Sequence, residues 1–135
     1  MALINWNDSL SVGLLEIDGQ HKKLVDLVNK LHEAMKIGQA KEILVHIFKE
    51  LIDYTGNHFR KEEIYMKAFS YPAFATHKNE HDLLVLKVTA LEKELEAGSE
   101  MIPMEVMDFL KGWLSDHIQG TDRLYCSSFR QNGVK

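Results

Sequence analysis

The 135-residue chain is 45% hydrophobic and 27% charged, the proportions of an ordinary globular protein, and it is read as a single domain spanning 1–135. Sixteen basic against twenty acidic residues give a net charge of −4, which provides no basic face for a nucleic-acid backbone. No apolar run approaches the roughly 18 residues of a membrane span. The opening MALINWNDSL lacks the basic-then-apolar form of a signal peptide. The one cysteine, Cys126, excludes an intrachain disulfide and suits a reducing compartment. The reading is a cytoplasmic protein with no membrane and no nucleic-acid partner.

Two prolines and eight glycines punctuate the chain where helices would begin or end. An extended N-terminal arm runs through Gly13. Asp18 is then a plausible N-cap for a first helix stopping at Gly38. A second helix is expected from about Ala40 to Met66. After the loop FSYPAF, Pro72 suits the opening of a third helix that ends near Gly98. Pro103 opens a fourth, which Gly120 should close. With no strand-like alternation of useful length, the fold class is all-α, an up-down-up-down antiparallel four-helix bundle.

Apolar residues at 3-4 spacing mark the inward face of each helix. The first stripe reads Ile17, His21, Leu24, Val28, Leu31, Met35, and the second Ile47, Leu51, Tyr54, His58, Glu62. The third reads Phe74, His77, His81, Leu84, Val88, Leu91, Leu95, and the fourth Val106, Leu110, Leu114, His117. Five histidines and one glutamate therefore occupy core positions. His21 and the His77–His81 pair lie near helix starts, whereas His58, Glu62 and His117 lie near helix ends. In an antiparallel bundle two starts and two ends share one level, so these side chains converge. Asp122 would sit about 140° from His117 on a continuous helix, and a break at Gly120 would let its carboxylate swing back. His32 and His46 fail the height test, His32 lying roughly 16 Å along the axis from His21, and both read as ordinary polar or half-buried side chains.

Burying five imidazoles and an acid without a ligand would cost several kcal/mol. A metal removes that cost. Seven ligands exceed the four of a structural zinc, so two ions fit better. Two six-coordinate ions are filled in all but one position by the five imidazoles, Glu62 and Asp122 each bridging through both oxygens, and a shared solvent oxygen. Imidazole with carboxylate suits iron, and on ligand type manganese or zinc as well.

The order His, His-x3-Glu, His-x3-His, His-x4-Asp, preceded by WNDSLSVG and IDGQHK, resembles the hemerythrins, most of all the single-domain bacteriohemerythrins. The likeness runs from Trp6 to the terminal NGVK, with all seven ligand positions filled. It implies reversible O₂ binding at two non-haem iron ions bridged by an oxo or hydroxo group, Glu62 and Asp122. By that resemblance His77, His81 and His117 hold the coordinatively filled iron, while His21 and His58 hold the one with the open position. Helix geometry together with the likeness proposes Leu24, Phe59, Trp113, Leu114 and Ile118 as the walls of the O₂ pocket. Their apolarity would keep water and extra protons from the bound oxygen. Cys126 has no role in this pattern.

The chain is thus read as an oxygen carrier, storage or delivery protein, not an enzyme, with O₂ as its ligand. It is expected to be a monomer that hands O₂ to an oxygen-consuming enzyme. One alternative is an O₂ sensor module acting through a separate partner. Another is a di-iron enzyme handling peroxide or nitric oxide, but such oxygen-activating bundles typically carry Glu-x-x-His pairs and about four carboxylates. No Glu-x-x-His occurs here.

Overall fold

The computed structural model describes residues 4–98 and 103–135. Four long helices form the bundle: α1 (Leu15–Lys36), α2 (Lys41–Ala68), α3 (Phe74–Glu96) and α4 (Pro103–Asp116). No strand occurs among the described residues. Helix α1 packs against α2 and α4, and α2 packs against α3. Inward faces follow the sequence stripes closely: Ile17, Leu24, Val28, Leu31, Ile47, Leu51, Leu84, Val88, Leu110 and Leu114 are all buried. The side chain of Val106, on the fourth stripe, lies outside the described residues. Along α3 the stripe drifts near its end, where Glu92 is buried and Leu91 only partly so. There the Glu92 carboxylate lies 3.8 Å from Lys49 on α2.

The turns follow local chemistry. Gly38 and Gly98 adopt positive φ just past α1 and α3, a conformation that costs glycine least. Between α2 and α3 the same left-handed position is taken by Ser70, at φ 53°.

Two sequence expectations are corrected. Asp18 does not cap α1, which begins at Leu15 with Leu14 preceding it and no side-chain cap. Its carboxylate instead accepts from the Ser11 hydroxyl at 2.5 Å and the Val12 amide at 2.8 Å, so it fixes the arm. The start of α1 is served by the Lys135 carbonyl, which accepts from the Glu16 amide. Secondly, Gly120 does not close α4. The chain passes into a π-helical turn (His117–Thr121), a 3₁₀ turn (Asp122–Tyr125) and a short fifth helix, α5 (Cys126–Gln131).

The arm carries a 3₁₀ turn at Asp8–Leu10 and crosses the C-terminal segment. Asn29 exchanges two hydrogen bonds with the Ile4 backbone. The Cys126 thiol and the Arg130 guanidinium both donate to the Val12 carbonyl.

Candidate metal centre

All seven residues singled out by spacing are buried and lie together. His21, Glu62 and Asp122 have no exposed surface, and His58, His77, His81 and His117 are at most 3% exposed. They form two groups, His77–His81–His117–Asp122 and His21–His58–Glu62–Asp122, in each of which the ligating atoms lie within 4.8 Å of one another. His32 is half-buried and His46 exposed, away from both groups.

Asp122 belongs to both groups. Its Oδ2 is 3.0 Å from His21 Nε2, while Oδ1 is 2.9 Å from the Nε2 of both His77 and His117. Glu62 has a similar position, with Oε1 2.7 Å from His58 Nε2 and 3.9 Å from His81 Nε2. The π turn places Asp122 there. The Asp122 amide donates to the His117 carbonyl, an i→i+5 bond, so residues five apart share one face.

These close contacts leave buried polar atoms without aligned hydrogen bonds. His21 and His77 at both ring nitrogens, His58 Nε2, and both oxygens of Glu62 and Asp122 have none. His81 Nε2 and His117 Nε2 face each other at 3.1 Å. Heads that crowd within about 3 Å yet do not pair are aimed at points between them. Imidazole and carboxylate donors so arranged fit divalent transition metals, and the desolvation of so many orphaned groups argues for such ions.

Outward ring nitrogens are held by partners that the sequence reading missed. Gln20 Oε1 lies 2.5 Å from His58 Nδ1, Glu63 Oε2 lies 2.8 Å from His81 Nδ1, and Glu80 Oε1 lies 3.2 Å from His117 Nδ1. An acceptor at Nδ1 assigns the proton there and leaves the Nε2 lone pair facing inward. Each missed partner is the chain neighbour of one ligand, Gln20 of His21, Glu63 of Glu62 and Glu80 of His81, and meets a different histidine on a following element; adjacency was the available signal. Aromatic plates fix the rings further: Phe59 stacks on His81 at 3.7 Å, Trp113 on His117 at 4.4 Å and Tyr125 on His77 at 5.6 Å.

Electrostatics differ across the cluster. Burial, helped by neighbouring His117 and His77, pushes His81 down to about 2, so its ring is neutral, as a metal ligand must be. Burial also opposes protonation of His21 and His117, but Asp122 outweighs it and raises both. Burial alone would raise Asp122, yet His117, His21 and His77 hold it well below the usual carboxylate range. Tyr125 is wholly buried, and burial with Glu62 and Asp122 beside it pushes its phenol well above the ordinary value.

Just inside the imidazole layer is an apolar cavity of about 20 Å³, lined by Leu24, Phe59, Trp113 and Leu114, with Thr55 as its polar lining residue. Four of the five pocket residues expected from sequence therefore border one space. Ile118, 1% exposed, is core but not part of that lining. No described helix is long and apolar enough to cross a membrane.

Comparison with known proteins agrees with this geometry. Residues 12–127 match the family described as hemerythrin HHE cation binding domain. Bacteriohemerythrin of Methylococcus capsulatus (strain Bath) is 39% identical over 128 residues, covering 93% of this chain and 95% of the relative. That of Stenotrophomonas maltophilia (strain R551-3) is 34% identical over 130 residues, covering 96% and 84% respectively. The crystal structure of a wild-type hemerythrin superposes with a TM-score of 0.88 at 35% identity, covering 94% of this chain and 98% of the other. The chain belongs to the hemerythrin family, and its fold is the four-helix bundle of that family.

Proposed function

We propose that this chain binds O₂ reversibly at a pair of non-haem irons and acts as a carrier, storage or delivery protein. The observation that carries the reading is the placement of Asp122, whose two carboxylate oxygens face different histidine groups. In this reading His77, His81 and His117 hold one ion, His21 and His58 the other, and Glu62 and Asp122 join them. When bound, an iron pair would supply the two electrons that O₂ binding draws on.

The chain's own residues set the conditions for reversibility. Gln20, Glu63 and Glu80 fix the ligand tautomers from outside. Leu24, Phe59, Trp113 and Leu114 line an apolar wall that excludes water, with Ile118 buried behind it. A dry wall favours release of O₂ over loss of a reduced oxygen species. Five imidazoles, uncharged whenever they ligate a metal, would stabilise an oxidised pair less than a carboxylate-rich site would, which favours binding over catalysis. Among the described residues Thr55 is the one polar residue bordering the cavity, and its hydroxyl is a poor proton donor.

The test is the absorption spectrum of reduced, iron-replete protein before air, after air, and after O₂ is removed. A ligand-to-iron charge-transfer band that appears and then vanishes supports reversible binding. Sustained turnover of peroxide or nitric oxide, or a band that cannot be reversed, refutes it.

A further inference from the structure

We infer that Glu80 is a positioning residue that holds the π turn open and thereby keeps Asp122 between the two histidine groups; this rests on the iron-pair reading above. The turn needs outside support. A π turn is rare and less favourable than α-helix, and Gly120 and Thr121 within it are weak helix formers. On a continuous α-helix Asp122 would sit about 140° from His117, and its carboxylate would leave the centre.

Glu80 lies on α3 between the inward residues His77 and His81, and it reaches across the bundle to both ends of the turn. Its Oε1 lies 3.2 Å from Nδ1 of His117, the first residue of the turn. Both of its oxygens accept from the hydroxyl of Thr121, the last residue, at 2.9 and 3.2 Å. One carboxylate thus ties the two ends of the five-residue turn to a second helix. The next residue is Asp122. Glu63 and Gln20 differ in kind, since each meets a single ring nitrogen. Glu80 would therefore act on both ions through Asp122, although its own contacts are with His117 and Thr121.

The experiment compares the parent chain with Glu80→Ala, Glu80→Gln, Thr121→Val and the double variant Glu80→Ala/Thr121→Val. Each is loaded with ferrous iron, and the rate of iron loss to a chelator and the visible spectrum are recorded. Removing an outer partner of a metal ligand costs about 10–100-fold in metal affinity. Glu80→Ala should release both irons together, faster by about that factor. Thr121→Val, which leaves His117 its acceptor, should move the same way by less. Glu80→Gln should behave as the parent, because its amide oxygen accepts the same two hydrogen bonds. The double variant should be no worse than Glu80→Ala, because both changes break one contact. If Glu80→Ala does not fold, Thr121→Val still carries the test.

Iron release at the parental rate from Glu80→Ala or Thr121→Val overturns the inference. So does a Glu80→Gln variant as labile as Glu80→Ala, which would assign the effect to charge, and so does strict additivity in the double variant. A parent chain that holds no iron pair overturns the functional reading, and the inference with it.

Discussion

Replacing Leu114 by Ala probes the apolar wall directly. Leu114 is 6% exposed and borders the cavity that also touches Leu24, Phe59 and Trp113. The substitution removes three carbon atoms, about 2.4 kcal/mol at about 0.8 kcal/mol per buried group. The cavity left behind adds to this, and Leu→Ala changes in cores span about 2.7–5.0 kcal/mol. A space of about 20 Å³ already adjoins the site, which limits collapse around the new gap, so a loss of about 3–4 kcal/mol is expected. A water needs about 10–15 Å³ and two to four polar partners. The existing space already meets the volume condition, and shortening Leu114 would open it toward the carboxylates of the centre, which with the Thr55 hydroxyl supply the partners it lacks.

Leu114→Ala should therefore retain two irons and still form the oxygenated species, but that species should decay to the oxidised form on the order of tenfold faster, a barrier change of about 1.4 kcal/mol. Leu31→Ala is the control. Leu31 is fully buried in α1, at the end of the bundle away from His21, and its loss should lower the melting temperature comparably without hastening decay. The assay follows the oxygenated band at matched iron content, beside thermal melts of both variants. Parental decay in Leu114→Ala, or equal acceleration in Leu31→Ala, refutes the assignment of the wall.

Elemental analysis of the iron-replete parent should give two irons per chain, and His77→Ala, which removes the imidazole 2.9 Å from Asp122, should lose the bridged pair and its spectrum; a variant with both irons and the parental spectrum would contradict the ligand set. Acid should separate the loaded chain from the iron-free one. Imidazoles bind metal only when neutral, so metal-linked stability is present above about pH 6.5 and lost as pH falls. In the iron-free chain, burial and the neighbouring His117 and His77 lower His81 to about 2, which gives stability that is lost as pH falls below about 6.5. His21 and His117, raised against burial by Asp122, contribute stability that is present below about 6.5 and lost as pH rises through their folded values. These signs oppose, so urea midpoints across pH 4–7 (about the imidazole range) should fall less steeply without iron; parallel curves would count against the metal centre. Gly13→Ala should cost about 1–3 kcal/mol, because Gly13 sits at φ +76° and a Cβ there would also press on the end of the Arg130 side chain; an unchanged melting temperature would show that the arm and Arg130 yield freely.

The stripes were legible because a helix buries residues by period, and a histidine at a leucine position is as visible as the leucine. His21, His58, His77, His81 and His117 could be placed facing inward from spacing alone, and their common level followed from antiparallel order. Glu62 came from the same rule. The outer partners did not, because Gln20, Glu63 and Glu80 lie off the stripes, on the flanks between helices, where polar residues are ordinary. Distances such as 2.8 Å from Glu63 to His81 depend on side-chain direction across a helix pair, which period does not encode. The role of Asp18 was misplaced for a related reason: a short acid near a helix start is a frequent cap, and only the path of the arm shows that Ser11 and Val12 take its oxygens instead.

The five-residue step from His117 to Asp122 constrains the backbone between them. Two inward ligands at that spacing cannot share a face of an α-helix, so either the helix breaks or it widens. Gly120 favoured the first answer, yet α-helix is not interrupted by one exposed glycine at a cost of only about 1 kcal/mol. Widening keeps the backbone bonded through the Asp122 amide and the His117 carbonyl, whereas a break would leave buried backbone groups to be satisfied elsewhere. A π turn also carries the chain on into α5, whose Cys126 holds the arm through the Val12 carbonyl. The same distortion that delivers Asp122 to the centre therefore anchors the N-terminal arm across it. Glycine and threonine within the turn weaken its preference for α-helix and leave the choice of geometry to Glu80. A His-x4-Asp step on an otherwise periodic apolar helix is in this sense a prediction of a widened turn, and an unmatched carboxylate on the facing helix is where its support should be sought.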